Sequence, residues 1–259
     1  MDLGIGGRTA LVSGASQGLG RAIAFALAEE KVDLTIVARR PDVLEETASE
    51  IRTGTGASVT AVPADIATVD GRARALDACP QPDILINNSG GGPMGDFRGF
   101  SHDEWLRVID AVMLSPIEMI KATIDSMIEN RFGRIINLTT MGMRVPNTLH
   151  QLCNGARGGL TAFVSTIANE HSQHNVTINN VLPGPFATDR MKVTSEFLAR
   201  KTGRPVEGEY ERRVQEHPSH RFGRPEELGA TCAFLCSTHA GYITGQNILI
   251  DGGLAKTTF

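Results

Sequence analysis

A single doubly wound α/β domain, with seven parallel strands and helices on both faces of the sheet, is the fold this chain predicts over residues 1–259. Two patterns predict it. Short apolar runs alternate with amphipathic helical stretches from one end to the other, and a glycine cluster sits where the first run passes into the first helix. Length agrees, because 259 residues fit one domain that buries roughly three quarters of its unfolded surface, so no disulfide or metal has to hold it together.

Strands are expected near Thr9–Ser13, Leu34–Ala38, Ser58–Val62, Ile84–Asn87, Arg134–Leu138, Thr177–Leu182 and Asn247–Ile250. Helices fill the gaps at about Leu19–Glu30, Pro41–Arg52, Val69–Asp77, Asp103–Arg131, Leu149–Ser172 and Pro225–Ser237. Pro116 kinks or divides the fourth of these, since its ring removes a backbone donor and crowds the preceding turn. One connection breaks the rhythm: about forty residues, rich in charge, lie between Pro185 and Pro225, well past the usual short link. A mobile helical lid over a site, at about residues 187–224, is expected there.

The net charge of −4 lacks the positive footprint that a nucleic-acid partner requires. No apolar run approaches the ~20 residues of a membrane span, and the start of the chain does not resemble a signal peptide. Cys79, Cys153, Cys232 and Cys236 follow no disulfide spacing, which points to a reducing, cytoplasmic setting. Cys232 and Cys236, four apart in an apolar helix, read as small core residues. His171 and His174 read as solvent-facing near a helix end; no further ligand completes a set, so no metal site is expected.

Chemistry begins at Ser13-Gly14-Ala15-Ser16-Gln17-Gly18-Leu19-Gly20. The spacing Gly14-x-x-x-Gly18-x-Gly20, after an apolar strand and at the opening of a helix, is that of a loop that holds a dinucleotide's phosphates. Gly14 permits the sharp turn, Gly18 lets backbone approach the pyrophosphate, and Gly20 allows close helix–strand packing. The anion then meets unpaired amides and the positive end of the helix dipole. At the end of the second strand an NAD site calls for an acidic residue, but the chain reads Val37-Ala38-Arg39-Arg40. Two guanidinium groups suit a 2′-phosphate, so NADP(H) is expected over NAD(H).

Further motifs follow in order: Asn87-Asn88-Ser89-Gly90 after the fourth strand, Pro183-Gly184 after the sixth, then Tyr242-Ile243-Thr244-Gly245-Gln246 and Asp251-Gly252-Gly253. With them the whole chain resembles the short-chain dehydrogenase/reductase family, a Rossmann-type fold. The likeness is greatest to its 3-oxoacyl-(acyl-carrier-protein) reductase-like members, and Arg221-Phe222-Gly223-Arg224-Pro225-Glu226-Glu227 strengthens it. The resemblance implies that Ser16, Gln17 and Leu19 belong to the cofactor loop and that Asp65 and Ile66 contact the adenine. It implies that Asn88 and Gly90 line the cofactor groove, and that Pro183, Gly184, Phe186 and Thr188 hold the nicotinamide carboxamide. It also implies a small carbonyl or alcohol substrate and a homotetramer, or at least a homodimer, paired through the helices at Asp103–Arg131 and Leu149–Ser172.

Such proteins usually carry a Ser, a Tyr thirteen residues later, a Lys four beyond that, and an Asn on an earlier helix. Here those positions hold Thr140, Cys153, Arg157 and Val112. Thr140 keeps a hydroxyl that can orient a substrate. Arg157 keeps a positive charge for ribose hydroxyls and for favouring thiolate at Cys153, but being always protonated it relays no proton. Cys153 is acidic enough to replace a phenol, yet its thiol ends several ångströms short, so a water, a deeper substrate or another acid must bridge the gap. His150, one turn earlier, is a candidate for that acid. A Cys–His nucleophile is disfavoured, because neither a third orienting group nor an oxyanion site is visible. The sequence therefore predicts an NADP(H)-dependent oxidoreductase that interconverts a ketone and a secondary alcohol at an atypical site. The alternative is an NADP-binding protein with little or no turnover, in a regulatory or scaffolding role.

Overall fold

A computed structural model describes residues 1–257. Seven strands, β1 (Thr9–Ser13), β2 (Asp33–Ala38), β3 (Val59–Pro63), β4 (Ile84–Asn87), β5 (Gly133–Leu138), β6 (Val176–Pro183) and β7 (Asn247–Ile250), form one sheet in the order β3-β2-β1-β4-β5-β6-β7. Every pairing is parallel. Strands buried on both faces need continuous apolar sequence, and β4 (Ile-Leu-Ile-Asn) is buried at all four residues.

The helices are α1 (Gly18–Glu29), α2 (Pro41–Thr55), α3 (Val69–Ala78), α4 (His102–Ile109), α5 (Ser115–Glu129), α6 (Gln151–His171), α7 (Asp189–Thr202), α8 (Val206–Glu216) and α9 (Pro225–Cys236). Side chains from α1, α2 and α9 cover one face of the sheet, among them Ile23, Leu27, Leu44, Ile51, Leu228 and Cys232. Side chains from α3, α5 and α6 cover the other, with Ala75, Met119, Leu160 and Val164. Cys232 and Cys236 are fully buried in the first layer, and desolvation raises both thiols, Cys236 to about 12. They are the inert core residues their spacing implied. His171 and His174 are half-buried rather than solvent-facing, because the short 3₁₀ turn after α6 folds them back toward the chain.

The helix expected over Asp103–Arg131, with a kink or division at Pro116, is α4 and α5 joined by a π-helical segment at Asp110–Leu114, with Pro116 in the first turn of α5. α6 begins at Gln151, two residues later than expected, and leaves His150 as its flanking residue at φ −117°, ψ 35°.

An asparagine ladder crosses the C-terminal half of the sheet. Asn87, Asn137, Asn180 and Asn247 are register partners on β4, β5, β6 and β7. Asn87 Nδ2 donates to Asn137 Oδ1 at 2.9 Å, Asn137 Nδ2 to Asn180 Oδ1 at 3.3 Å, and Asn180 Nδ2 to Asn247 Oδ1 at 2.9 Å. Residues 187–224 form the α7–α8 pair and a returning loop. Its base is tied by a parallel bridge between Phe186 and Gly223, where Ala187 N donates to Gly223 O and Gly223 N to Pro185 O.

Candidate active site

Strand order reverses between β1 and β4, which opens a crevice at the C-terminal edge of the sheet. The loop between β1 and α1 lines it. Gly14 and Gly18 have φ of +62° and +58°, a region that side chains other than glycine's rarely enter. A Cβ on Gly20 would stand 2.2 Å from Gly14 O and 2.6 Å from Asn88 Nδ2. Asn88 is the brace of the loop: its Nδ2 donates to Gly14 O at 3.1 Å and its backbone N donates to Ser13 Oγ at 2.9 Å. The loop is thus built by close approach of bare backbone, as a phosphate-binding turn requires.

The other residues expected to serve a cofactor lie at or just after the C-terminal ends of β1, β2, β3, β4 and β6. Arg39 and Arg40 are exposed at the end of β2, and the Arg40 guanidinium donates to Gln17 Oε1, which joins the phosphate loop to the basic corner. Ser16 is buried, and its carbonyl accepts from Thr47 Oγ1 at 3.1 Å, while Leu19 packs against the core. Asp65 accepts from Ala67 N at 3.1 Å, and Ile66 O accepts from Ser115 Oγ at 2.7 Å, so the turn after β3 is fastened to α5. Gly90 has open space where a side chain would be. Pro183 ends β6, and Gly184 N donates to Ile250 O at 2.9 Å. Phe186 is buried beneath the lid, and Thr188 precedes α7 with Cγ2 beside Gly18. A cleft of about 290 Å³ opens here, lined by Gly18, Arg21, Thr188, Lys192 and Tyr210 among others. These features suit a dinucleotide: a bare-backbone cradle at a helix N-terminus, and two guanidinium groups, without a carboxylate partner among the described residues, where a 2′-phosphate would lie.

Across the crevice, Thr140 follows β5, and its Oγ1 accepts from Gly142 N at 3.1 Å, leaving the hydroxyl hydrogen free. Arg157, on α6, is almost wholly buried. Both hydrogens of its Nη1 are directed at Leu138 O and Thr139 O, and Nη2 lies 3.4 Å from Ser89 O. Three donors therefore go to backbone at the ends of β5 and β4, and Nε with the second Nη2 hydrogen stays available. Burial lowers the Arg157 pKa, the neighbouring Cys153 opposes that, and the charge of Arg190 adds to it.

Cys153 is 5% exposed and packs with Val108, Val112, Leu152 and Ala156 in a small apolar cluster under the crevice. Its sulfur accepts from Gly92 N at 2.8 Å. Val112 does lie beside Cys153, and it is the π-helical segment that brings it there. His150 departs from its expected role. Burial, then the charges of Arg190, Arg157 and Arg213, lowers its pKa to about 4. At neutral pH the ring is uncharged, so it is not a ready proton donor.

Gly92 touches Cys153 so closely that a Cβ would stand 2.6 Å from Val108 Cγ2 and 3.2 Å from Cys153 Sγ. One contributor escaped notice in the sequence. Arg213 reaches the surroundings of His150 from α8, and nothing in its local sequence marks it. Of the two tyrosines, Tyr242 is fully exposed, and Tyr210 packs edge-on to Phe222 with centroids 5.0 Å apart. Among the described residues, no group of His, Cys, Asp and Glu could hold a metal, and no helix is long and apolar enough to cross a membrane.

Comparison with known proteins agrees with this geometry. A family model described as enoyl-(acyl carrier protein) reductase matches residues 14–255. The chain is 33% identical over 255 residues to the NADPH-dependent reductase BacG of Bacillus subtilis (strain 168), covering 96% of this chain and 98% of that protein. It is 32% identical over 253 residues to the 3-oxoacyl-[acyl-carrier-protein] reductase of Synechocystis sp. (strain ATCC 27184 / PCC 6803 / Kazusa), covering 95% and 96%. L-Sorbose reductase from Gluconobacter frateurii, solved with NADPH and L-sorbose, superposes with a TM-score of 0.93 at 30% identity, covering 99% of this chain and all of that one. On the phosphate loop, the strand order and these matches along nearly its whole length, the chain belongs to the short-chain dehydrogenase/reductase family.

Proposed function

We propose that the protein is an NADP(H)-dependent oxidoreductase that interconverts a ketone and a secondary alcohol. What supports this is the contact between the glycine cradle and the Thr140–Arg157 region through two adjacent residues: Asn88 Nδ2 donates to Gly14 O, and Arg157 Nη2 lies 3.4 Å from Ser89 O. Similarity to reductases whose names or structures include NADPH supports the choice of cofactor. When bound, NADPH supplies the hydride; the net reduction consumes one proton as ketone and NADPH become alcohol and NADP⁺.

The residues divide the remaining work. The free hydroxyl hydrogen of Thr140 holds the substrate oxygen. The fixed charge of Arg157 stabilises negative charge developing there and offers its free Nε–H to the nicotinamide ribose. Gly92 N–H pins the Cys153 sulfur, whose S–H proton reaches the substrate oxygen directly in a deeply seated complex or through one water. Val112 and Cys153 leave the proton path apolar, so turnover on common ketones is expected to be slow, by about 10²–10⁴ relative to a site with a positioned acid. The α7–α8 pair closes over the crevice as a lid, its base held by the Phe186–Gly223 bridge.

Steady-state NADPH oxidation across a broad carbonyl panel, with dissociation constants for NADPH and NADH, tests this reading. NADPH is expected to bind more tightly than NADH, and Arg40→Ala to weaken NADPH by about 10- to 100-fold, the loss of a charge-assisted hydrogen bond. Cys153→Ala is expected to lower turnover and leave cofactor affinity unchanged. Tight NADPH binding without oxidation on any carbonyl would instead identify a cofactor-binding protein without turnover, a reading that the apolar seat of Cys153 favours.

A further inference from the structure

The acidic and basic residues of the lid are matched unevenly. On α7, Asp189 pairs with Lys192 at 3.2 Å, leaving its neighbour Arg190 without a carboxylate partner among the described residues. On α8, the buried Glu209 pairs with Arg212 at 2.5 Å and Arg204 at 3.6 Å, and Glu216 also pairs with Arg212. Arg213 receives none of them directly. Its Nη1 instead meets Met191 Sδ at 2.8 Å and Ser195 Oγ at 3.4 Å, and its guanidinium lies 5.6 Å from the centre of the Phe222 ring. Arg157, the third, is bonded only to backbone carbonyls.

Of the three, Arg190 reaches the wall that holds Cys153, Arg157 stands one helical turn after that thiol on α6, and Arg213 packs against α7 at Met191, the residue after Arg190. Arg190 Nη2 donates to Gly92 O at 3.1 Å, the residue whose N–H holds the Cys153 sulfur. A methyl group placed on Gly91 would stand 3.4 Å from Arg190 Nη2 and 3.7 Å from Cys153 Sγ, so guanidinium and thiol flank the same glycine. Arg190 is exposed, so it can meet a ligand entering from solvent. Arg190, Arg157 and Arg213 also each depress the His150 pKa, an independent sign that their fields overlap at this wall. Excess positive charge of this kind is unfavourable without a counter-anion. The expected cofactor does not supply one here, because its phosphates are served by the Gly14–Gly20 cradle and the Arg39–Arg40 corner.

Resting on the carbonyl-reductase reading of the crevice, we propose that Arg190 is a specificity-determining residue that binds the carboxylate of a keto-acid substrate beside Gly92 and Cys153, with Arg213 supporting the charge. Gly92 O takes one hydrogen of Arg190 Nη2, and the remaining guanidinium N–H groups suffice for a two-oxygen anion. Burial of Arg157 and half-burial of Arg213 place them as fixed charges behind Arg190, strengthening a carboxylate contact that open water would weaken.

Matched ligands test this on the full chain saturated with NADP⁺, by calorimetric titration with acetoacetate and with its neutral methyl ester. Acetoacetate is expected to bind at least about tenfold more tightly, the size of one charge-assisted contact. Arg190→Gln keeps an amide donor for Gly92 O but removes the charge; it is expected to erase that preference and leave the NADPH dissociation constant within about twofold. Arg190→Lys is expected to retain most of the preference. Equal binding of acid and ester overturns the proposal, as does an undiminished preference in Arg190→Gln. A marked rise in the NADPH dissociation constant of Arg190→Gln overturns it too, since Arg190 would then serve the cofactor. Selective acetoacetate binding without NADPH oxidation on any carbonyl would sink the reductase reading and leave the carboxylate subsite standing.

Discussion

Alanine at Gly18 and alanine at Gly20 are expected to fail in different ways. Gly18 needs its left-handed φ of +58°, yet a Cβ there meets Thr188 Cγ2 only at an ordinary 3.5 Å. Gly18→Ala should therefore fold with a loss of about 1–2 kcal/mol from the backbone conformation, its main defect being a raised NADPH dissociation constant. Gly20→Ala drives a methyl group against the carbonyl of Gly14 and the amide of Asn88, neither of which is a flexible end. It should lose about 1–3 kcal/mol or more even without ligand. Urea midpoints of the two ligand-free variants check this, and a Gly20→Ala protein as stable as the parent would contradict the packing. The same scale corrects the expectation for His150. A histidine beside a cysteine suggests an acid in sequence, but its buried place among three arginines keeps it neutral.

At the scale of elements, the asparagine ladder joins four strands through buried side chains. Asn137 is its centre, donating to Asn180 and accepting from Asn87. Asn137→Leu leaves Asn87 Nδ2 and Asn180 Oδ1 without those partners, at a cost on the order of 1–3 kcal/mol for each group. Chemical denaturation should show a lower midpoint with an unchanged slope, and a midpoint equal to the parent's would show that the ladder is energetically idle. Elements were the most legible level of the sequence. Strand cores at Thr9–Ser13, Ile84–Asn87 and Asn247–Ile250 agree to the residue, because uninterrupted apolar runs leave no other register. The π-helical segment at Asp110–Leu114 was not legible, since its extra residue per turn is decided by packing against α6 rather than by a local signal.

Across the whole molecule, protonation couples to folding through the half-buried His150 and the buried His217. His150 has a folded pKa of about 4 against an ordinary 6.5, and burial lowers His217 as well. Between pH 6.5 and 4 the unfolded chain binds protons that the folded chain refuses, so stability falls as pH falls through that window and is insensitive to these groups above it. Melting temperatures measured between pH 7 and 4.5 should decline in the parent and decline less in His150→Asn; parallel curves would refute the assignment. Glu227, held at about 2 by Arg221, begins to lose its own bonds only at still lower pH. Within the lid, Asp189, Glu209 and Glu216 pair with Lys192, Arg204 and Arg212, while Arg190 and Arg213 have no carboxylate partner among the described residues.

The sequence by itself determined the parallel doubly wound sheet, the glycine turn at Gly14–Gly20, the basic pair Arg39–Arg40 and the identities at positions 112, 140, 153 and 157. Periodicity, glycine spacing and residue chemistry are local and survive in one dimension. Only the tertiary structure decided that Arg157 is bonded to three carbonyls, that Gly92 holds Cys153, and that His150 is neutral beneath three guanidinium groups. Those outcomes depend on burial and on contacts between residues from about 20 to 98 positions apart, which no local pattern encodes.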